Sequence, residues 1–146
     1  MNNSNLQTVL KAGKFAVTAE AGTPRGAKPD VVREKAKILK GYIDACNVTD
    51  NQTSVVRMCS MAACKILREE GIDSVMQMVC RDRNRIAAQS DILGAASFGI
   101  SNLLCLSGDH QIFGDHPQAK NVFDIDSIQL LKIATQMRDD AKFSGG

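Results

Sequence analysis

Two carboxylates in this sequence stand where acid–base chemistry could take place. Glu20 directly follows a short apolar run, and Asp109 comes shortly after a later one. A carboxyl group that loses hydration beside apolar residues favours its protonated form, which lets it donate a proton near neutral pH. Glu20 is therefore a candidate catalytic acid. The alternative interpretation of Glu20 is a surface carboxylate that pairs with Lys14 or Arg25.

Polar residues also follow the other apolar runs, so that they indicate one polar rim. Residues 49–52 (Thr-Asp-Asn-Gln) follow the second run, Arg81 and Asp82 follow the third, and residues 107–110 (Ser-Gly-Asp-His) follow the fourth. The glycine at 108 would let the backbone approach a bound ring or phosphate closely. Asp109 is then either a ligand-facing carboxylate or a solvated aspartate in a turn.

Three arginines alternate at positions 81, 83 and 85, just before a predicted helix. Such a group could bind an anion at the helix N-terminus, because backbone N–H groups and the helix dipole point there. The competing interpretation, which we favour, is that they are surface charges at the start of a helix.

The motif Gly-Asp-His occurs twice, at 108–110 and 114–116, and brings both histidines and two carboxylates within nine residues. This pattern raises the hypothesis of a metal-dependent hydrolase. Zinc and iron sites usually take ligands from separated elements, and no third nitrogen or sulfur ligand lies nearby in the sequence. We therefore predict that the chain has no metal site.

The elements that must position these residues follow a repeated strand–helix pattern. The predicted strands begin about 30 residues apart, the length of a strand plus a crossover helix; they are Phe15–Ala19, Ile43–Val48, Ser74–Cys80 and Asn102–Leu106. The predicted helices run from Pro29 to before Gly41, from about Thr53 to before Gly71, from about Arg85 to Phe98 with Asn84 as N-cap, and from Asp126 with Gln129 in a capping box.

Nearly continuous apolar strands are typical of a parallel sheet that is covered on both faces. A doubly wound sheet and a (β/α)8 barrel both fit four consecutive βα units. No G-x-G-x-x-G motif follows the first strand, which disfavours a dinucleotide-binding Rossmann fold but leaves a flavodoxin-like sheet open. In both architectures ligands bind at the carboxyl ends of the strands, where the polar rim lies.

Composition predicts one soluble domain over residues 1–146. The net charge is only +2, the charges are interspersed, and six aromatic residues offer no stacking array, so nucleic acid is not expected as a partner. No basic segment followed by an apolar stretch begins the chain, and no apolar run could span a membrane, which predicts a cytoplasmic protein. Five cysteines, an odd number, lie in apolar segments without CxxC spacing, as expected of reduced, buried thiols: 46, 59, 64, 80 and 105.

The strand-end motifs resemble those of one enzyme family, the methylenetetrahydrofolate reductases. Phe15-Ala-Val-Thr-Ala-Glu20, followed by Thr23-Pro24-Arg25-Gly26, is similar to the opening strand of that family. The ends of its second, third and fourth strands are similar to Asn47-Val-Thr-Asp-Asn51, Gln77-Met-Val-Cys-Arg-Asp-Arg-Asn-Arg85 and Leu104-Cys-Leu-Ser-Gly-Asp109. The motifs occur in the same order and at the same spacing over nearly the whole chain.

The resemblance implies an α/β fold of the (β/α)8 TIM-barrel type that binds FAD. It implies reduction of 5,10-methylenetetrahydrofolate to 5-methyltetrahydrofolate, a step of one-carbon metabolism and methionine biosynthesis, with NAD(P)H as a possible electron donor. The glutamate that matches Glu20 protonates the leaving ring nitrogen when the methylene bridge opens. The aspartate that matches Asp109 lies beside flavin and pterin, where it favours the cationic iminium and tunes the flavin.

The resemblance also implies a set of flavin contacts, and several positions depart from the usual family pattern. Gln77 stands where a histidine is often found, Ser107 where an arginine is common, and Thr23 replaces the first proline of Pro-Pro-Arg. The implied contacts are Thr49, Asp50, Gln52, Gln77, Ser107, Gly108, Asp109, Phe123 and Asp124.

A complete barrel of this type needs about 250 residues, whereas this sequence holds four of the eight βα units. We therefore expect residues 1–146 to be the N-terminal half-barrel of the folate-binding enzyme. A missing second half, a second copy in a homo-oligomer, a complementary half-barrel or an electron-donor subunit would complete it. The alternative hypothesis is a non-catalytic half-barrel that serves as a binding or assembly module.

Overall fold

The computed structural model describes residues 4–145, and its elements alternate between helix and strand. In chain order they are α1 (Asn5–Lys11), β1 (Thr18–Ala21), α2 (Pro29–Leu39), β2 (Ala45–Val48), α3 (Ser60–Glu69), β3 (Ser74–Val79), α4 (Arg85–Ser97), β4 (Asn102–Leu106) and α5 (Ser127–Asp139). Two short 3₁₀ turns, Gln52–Ser54 and Gln111–Phe113, lie after β2 and β4.

The strands form one parallel sheet in the order β1-β2-β3-β4. A doubly wound sheet reverses its direction at a switch point, and no such reversal occurs within residues 4–145. Each crossover therefore advances to the next strand in the same direction. The predicted α/β fold of four βα units is confirmed, and its order is the one found in singly wound sheets.

The helices pack against one face of this sheet and leave the other face without a helix among the described residues. The buried core joins Val48, Met76 and Met78 of the strands to Leu67 of α3 and Leu130 of α5. Side chains alternate along a strand, so the neighbouring residues point to the opposite face. On that open face a row of side chains lies at one level of the sheet: Glu20, Asn47, Val75 and Asn102.

Successive strands are displaced toward the carboxyl end of the sheet. Glu20 of β1 and Asn102 of β4 lie at the same level of the sheet. Glu20 pairs with Asn47, Asn47 pairs with Val75, and Val75 pairs with Asn102. β1 begins two residues before Glu20 and ends one residue after it, whereas β4 begins at Asn102 and ends four residues after it. The displacement is therefore two to three residues over three strand-to-strand steps.

The starts of α4 and α5 and the end of α3 agree closely with the sequence-based boundaries. Asn84 caps α4 by accepting a hydrogen bond from Ala87 N–H, and Asp126 and Gln129 form the expected capping box of α5. After α3, Gly71 has a φ of +81°, and Ile72 N–H returns to the carbonyl of Leu67 at 3.0 Å. This closing turn requires a left-handed residue, which glycine adopts without a steric penalty.

Other boundaries were predicted wrongly. β1 begins at Thr18 rather than at residue 15: Val17 N–H donates to the Asp44 carboxylate, the Val17 carbonyl accepts from Asp44 N–H, and Phe15 is 91% exposed. α3 begins at Ser60 rather than near Thr53, because the backbone is left-handed at positions 51, 53 and 54. Helix α1 was not predicted at all, β2 begins at Ala45 rather than at Ile43, and β3 ends one residue earlier than expected.

The prediction of reduced, buried thiols holds for most of the cysteines. Cys46, Cys64 and Cys80 are buried and Cys105 is half-buried, but Cys59 is exposed just before α3, so for Cys59 the prediction is wrong. All five are free thiols. Burial raises the pKa of Cys46 to about 11 and that of Cys64 to about 12, which makes these two thiols poor nucleophiles.

Candidate active site

A cavity of about 320 Å³ lies at the carboxyl ends of β2, β3 and β4, and we call it the strand-end cavity. Its lining includes most of the residues implied as flavin contacts: Asp50, Gln52, Gln77, Ser107, Gly108 and Asp109, together with Asn51, Thr53, Val79, Arg81 and Leu106. A larger cavity of about 580 Å³ lies at the opposite end of the sheet, but it contains none of the predicted site residues. Ligands of parallel α/β folds bind at the carboxyl ends, so the smaller cavity is the better candidate.

Asp109 is held by its backbone while its side chain remains available. The carbonyl oxygen of Asp109 accepts hydrogen bonds from Ser54 Oγ and from Arg81 Nη1, both at 2.9 Å. Its exposed carboxylate has no hydrogen bond or ion pair within residues 4–145. A fixed backbone with an uncommitted charged group is the arrangement expected of a ligand-facing carboxylate.

Gly108 is required by the shape of this wall. Its φ of +94° is left-handed, and a Cβ atom at this position would lie 3.0 Å from Cβ of Val79 and 3.4 Å from Cβ of Arg81. Any other residue would therefore combine backbone strain with a steric clash. The backbone at 108 can thus approach a ligand more closely than a residue with a side chain could.

Glu20 lies within β1 rather than after it, on the open face of the sheet. Its side chain is exposed, so the desolvation that we expected from its apolar neighbours is not found among residues 4–145. Neither Lys14 nor Arg25 pairs with it, because Arg25 binds Asp115 at 2.7 Å and the part of the chain described contains no ion pair of Lys14. The alternative of a surface ion pair is therefore wrong as well.

Thr49 and Gln77 present polar groups near the cavity. Thr49 is 3% exposed, and its hydroxyl oxygen has no hydrogen-bond partner among the described residues. Gln77 is on the same face of the sheet as Glu20, and its own carbonyl accepts a hydrogen bond from Ser60 Oγ at 2.7 Å. Buried polar groups are nearly always hydrogen-bonded, so the unpaired Thr49 hydroxyl points to a missing partner.

Asp50 lines the cavity, but its carboxylate is engaged inside the protein. Asp50 Oδ2 accepts hydrogen bonds from Arg83 Nη1 at 2.6 Å and from Val79 N–H at 3.1 Å, and the side chain is fully buried. Burial opposes the charge of Arg83, yet the Asp50 and Asp91 carboxylates raise its pKa. The structure thus gives Asp50 a role in joining β2 to the segment after β3.

The three alternating arginines are each paired with a carboxylate. Arg81 binds Asp82 at 2.7 Å, Arg83 binds Asp50 and Asp91, and Arg85 binds Asp124. Our interpretation as surface charges is wrong for Arg81 and Arg83, whose side chains are 4% and 15% exposed. Since every one of these guanidinium groups already has a carboxylate partner, the group does not form an open anion site.

Three of the implied flavin contacts, Thr49, Phe123 and Asp124, lie outside the lining of the strand-end cavity. Asp124 forms an ion pair with Arg85 at 2.8 Å, and this hydrogen bond holds the pKa of Asp124 at about 2. Phe123 has a left-handed backbone with a φ of +40° and is 40% exposed. Ser107, by contrast, lines the cavity, and its hydroxyl oxygen accepts a hydrogen bond from Ser127 N–H at 3.4 Å.

The turn after β2 contains two residues, Thr53 and Ser54, that the sequence analysis did not assign to the site, whereas it placed Asn51 in the polar rim. Asn51, Thr53 and Ser54 all have positive φ, a conformation that costs about 1–3 kcal/mol per residue outside glycine. Ser54 contacts the segment after β4, where a Cβ atom on Gly114 would come within 1.8 Å of the Ser54 carbonyl oxygen. The signal in the sequence was the second Gly-Asp-His motif, whose glycine serves packing rather than a metal.

Gly114→Ala should destabilise the protein by about 1–3 kcal/mol, because either the turn or the loop must move to admit the methyl group. Urea unfolding followed by circular dichroism would measure the change. Gly94→Ala is a matched control, since its Cβ would make an ordinary contact of 3.5 Å with Met61 and helix α4 should gain about 0.5–1 kcal/mol. Equal stability of the Gly114→Ala variant and wild type would contradict the close packing.

The two histidines do not converge on one point. His110 Nδ1 accepts a hydrogen bond from Ile112 N–H at 3.3 Å, and His116 Nδ1 lies 2.8 Å from the Asp115 carboxylate. Residues 4–145 contain no group of three histidine, cysteine or acidic side chains that could hold a metal ion. The same residues contain no helix that is long and apolar enough to span a membrane.

Comparison with known proteins identifies a family. The family model for methylenetetrahydrofolate reductase matches residues 5–142, which is nearly the whole chain. No curated protein matches this sequence. The strand-end motifs, the parallel βα units and the family match agree, and the chain belongs to the methylenetetrahydrofolate reductase family.

Proposed function

We propose that this chain forms the flavin-binding half of a (β/α)8 barrel that reduces 5,10-methylenetetrahydrofolate to 5-methyltetrahydrofolate. One observation carries the proposal: six residues implied as flavin contacts line a single cavity at the carboxyl ends of the strands, with the uncommitted Asp109 carboxylate among them. The family match supports a reductase-like role in folate metabolism. NAD(P)H is the proposed electron donor and the cytoplasm the proposed location.

The residues of the strand-end cavity fit part of an FAD molecule. A volume of about 320 Å³ is at the lower end of ligand pockets, which suits one ring system rather than a whole dinucleotide. The side chains of Gln52 and Gln77 offer polar contacts, and Gly108 permits close approach of the backbone. When bound, FAD supplies the hydride for the reduction.

Glu20 and Asp109 would have separate roles, Glu20 as the proton donor and Asp109 as the group that stabilises positive charge on the substrate. Glu20 would protonate the leaving ring nitrogen of the folate, and its freedom from ion pairs within residues 4–145 leaves it available for that transfer. Asp109 would favour the cationic iminium through its carboxylate, and Ser54 and Arg81 hold the backbone carbonyl of this residue. The cover that desolvates Glu20 must come from outside the described residues.

The displacement of the strands supports closure into a barrel. An eight-stranded barrel with a shear of 8 advances about one residue per strand, or about three residues over three steps. The observed two to three residues agree with this geometry. Strands β1 and β4 have no outer neighbour within residues 4–145, so further strands would complete the barrel, from a second half, a second copy or a complementary half-barrel.

Titration of the purified chain with FAD tests the proposal. We expect one FAD per site, quenching of flavin fluorescence and a changed visible spectrum, with Asp109→Asn altering that spectrum. Asp30→Asn, an exposed carboxylate on α2, is the matched control and should behave as wild type. Native mass spectrometry of the same sample would reveal what completes the barrel. Absence of flavin binding at any assembly state would instead favour a non-catalytic binding or assembly module.

A further inference from the structure

Arg81 connects every segment that forms the walls of the strand-end cavity. Its side chain reaches the turn after β2 through Ser54 Oγ at 2.7 Å and the Asn51 carbonyl at 3.4 Å. It reaches the segment after β4 through the Asp109 carbonyl at 2.9 Å. Its backbone accepts a hydrogen bond from Val122 N–H at 2.8 Å and donates one to the Ser107 carbonyl at 3.0 Å.

The hydrogen-bonding capacity of this guanidinium is fully used. Nε donates to Asp82, Nη1 donates to Ser54 and Asp109, and Nη2 donates to Asp82 and Asn51. Arginine has five N–H groups in a planar fork, and five acceptors surround this one. A lysine at this position would offer three donors around a single nitrogen and could not reach all of these acceptors.

Ser54 extends the contact toward the candidate catalytic carboxylate. Its hydroxyl accepts from Arg81 and lies 2.9 Å from the Asp109 carbonyl and 3.1 Å from the His110 carbonyl. Ser54 itself has a left-handed backbone, a conformation that persists only where surrounding contacts hold it. Arg81 therefore holds both the strained turn and the backbone that presents Asp109.

We propose that Arg81, together with Ser54, is the positioning residue that fixes the Asp109 carboxylate in the strand-end cavity. The geometry separates two tasks, because the Asp109 backbone is bound by Arg81 and Ser54 while its exposed carboxylate has no hydrogen bond within residues 4–145. The effect of Arg81 on the reaction then passes through Asp109 rather than through direct contact with substrate. This inference rests on the proposed function for its reaction, although the contacts themselves do not.

The reduction potential of bound FAD distinguishes positioning from a general structural role. Asp109→Asn should raise the potential, since a carboxylate near the flavin disfavours the added electrons. Arg81→Lys and Ser54→Ala should raise it in the same direction, because the carboxylate is no longer held in place. In the Asp109→Asn background both substitutions should have no further effect on the potential. Arg138→Lys, at an exposed ion pair with Asp139 on α5, is the matched control.

Hydrogen exchange of residues 107–123 provides a readout that does not depend on flavin. Loss of a hydrogen bond to a charged group should increase exchange in this segment about tenfold in Arg81→Lys, and less in Ser54→Ala. If Arg81→Lys does not fold, the reduction potential and the hydrogen exchange of Ser54→Ala test the inference. If the wild type binds no FAD, the proposed function fails, and the exchange measurement alone decides the inference.

Two results would overturn the inference. One is a rate of hydrogen exchange in residues 107–123 that is the same in Arg81→Lys and Ser54→Ala as in the Arg138→Lys control. The other is a shift in potential of the same size with and without the Asp109 carboxylate, which would mean that Arg81 acts on the flavin directly. A shift in the reduction potential that requires the Asp109 carboxylate supports the inference. If no flavin binds, faster hydrogen exchange that is confined to the walls of the cavity supports it.

Discussion

Glu20→Gln should lower the turnover of 5,10-methylenetetrahydrofolate by about 10²–10⁴-fold, the usual contribution of a general acid. Glutamine keeps the size and polarity of the side chain but cannot donate a proton in this way. FAD binding and flavin reduction by the electron donor should remain close to wild type, because Glu20 is outside the lining of the strand-end cavity. Stopped-flow measurement of the two half-reactions in the assembled enzyme separates these effects.

Glu34→Gln on the exposed surface of α2 is the matched control for Glu20→Gln, since it removes the same charge away from the site. The control should retain full turnover. If Glu20→Gln also turns over at the wild-type rate, another group protonates the folate, and the assignment of Glu20 as catalytic acid is wrong. If flavin reduction falls as strongly as folate turnover, Glu20 acts on the flavin instead.

Asp50→Asn should have the largest effect on stability, lowering the free energy of unfolding by about 3 kcal/mol. Removing one partner of a buried ion pair leaves the other charge uncompensated, which costs about 3–5 kcal/mol. We expect the lower end because Arg83 keeps its 2.8 Å contact with Asp91. In the variant, the asparagine NH₂ group would face a donor in either orientation: Arg83 Nη1 and Val79 N–H at the position of Oδ2, or Arg83 Nη2 at the position of Oδ1.

Chemical denaturation of Asp50→Asn and of the control Asp30→Asn would measure this difference. The Asp30–Arg33 pair is exposed, so its loss should change the free energy of unfolding by less than about 1 kcal/mol. A stable Asp50→Asn variant that fails only to bind FAD would contradict the structural role and favour the direct flavin contact that the family resemblance implies.

The pattern of βα units could be read from the sequence because apolar runs, caps and glycines are local signals. Helix α1 was missed because seven residues with a polar composition form a weak periodic pattern. It is anchored by tertiary contacts instead: Ser4 caps it, and Leu6 N–H donates to the buried Asp73 carboxylate at 3.0 Å. The start of β1 was misplaced for the same reason, since Val17, which precedes it, is bonded to Asp44, 27 residues distant in sequence.

The site could be predicted in part because strand ends of a parallel sheet must meet at one edge. This rule placed Asp50, Arg81, Gly108 and Asp109 at one edge, and all four line the strand-end cavity. It could not assign ion-pair partners, which depend on the distances between separate loops. The sequence analysis therefore did not show that Asp50, Asp124 and Arg81 are each engaged in an ion pair.

The polar row on the open face of the sheet has a consequence for the interior of a closed barrel. Barrels of this class are usually filled by branched apolar side chains, whereas Glu20, Asn47 and Asn102 lie at one level here, with Gln77 above them. Groups of this kind need hydrogen-bond partners once they are enclosed. The strands that close the barrel must bring matching donors and acceptors or enclose ordered water, so the centre of a closed barrel would be polar rather than apolar.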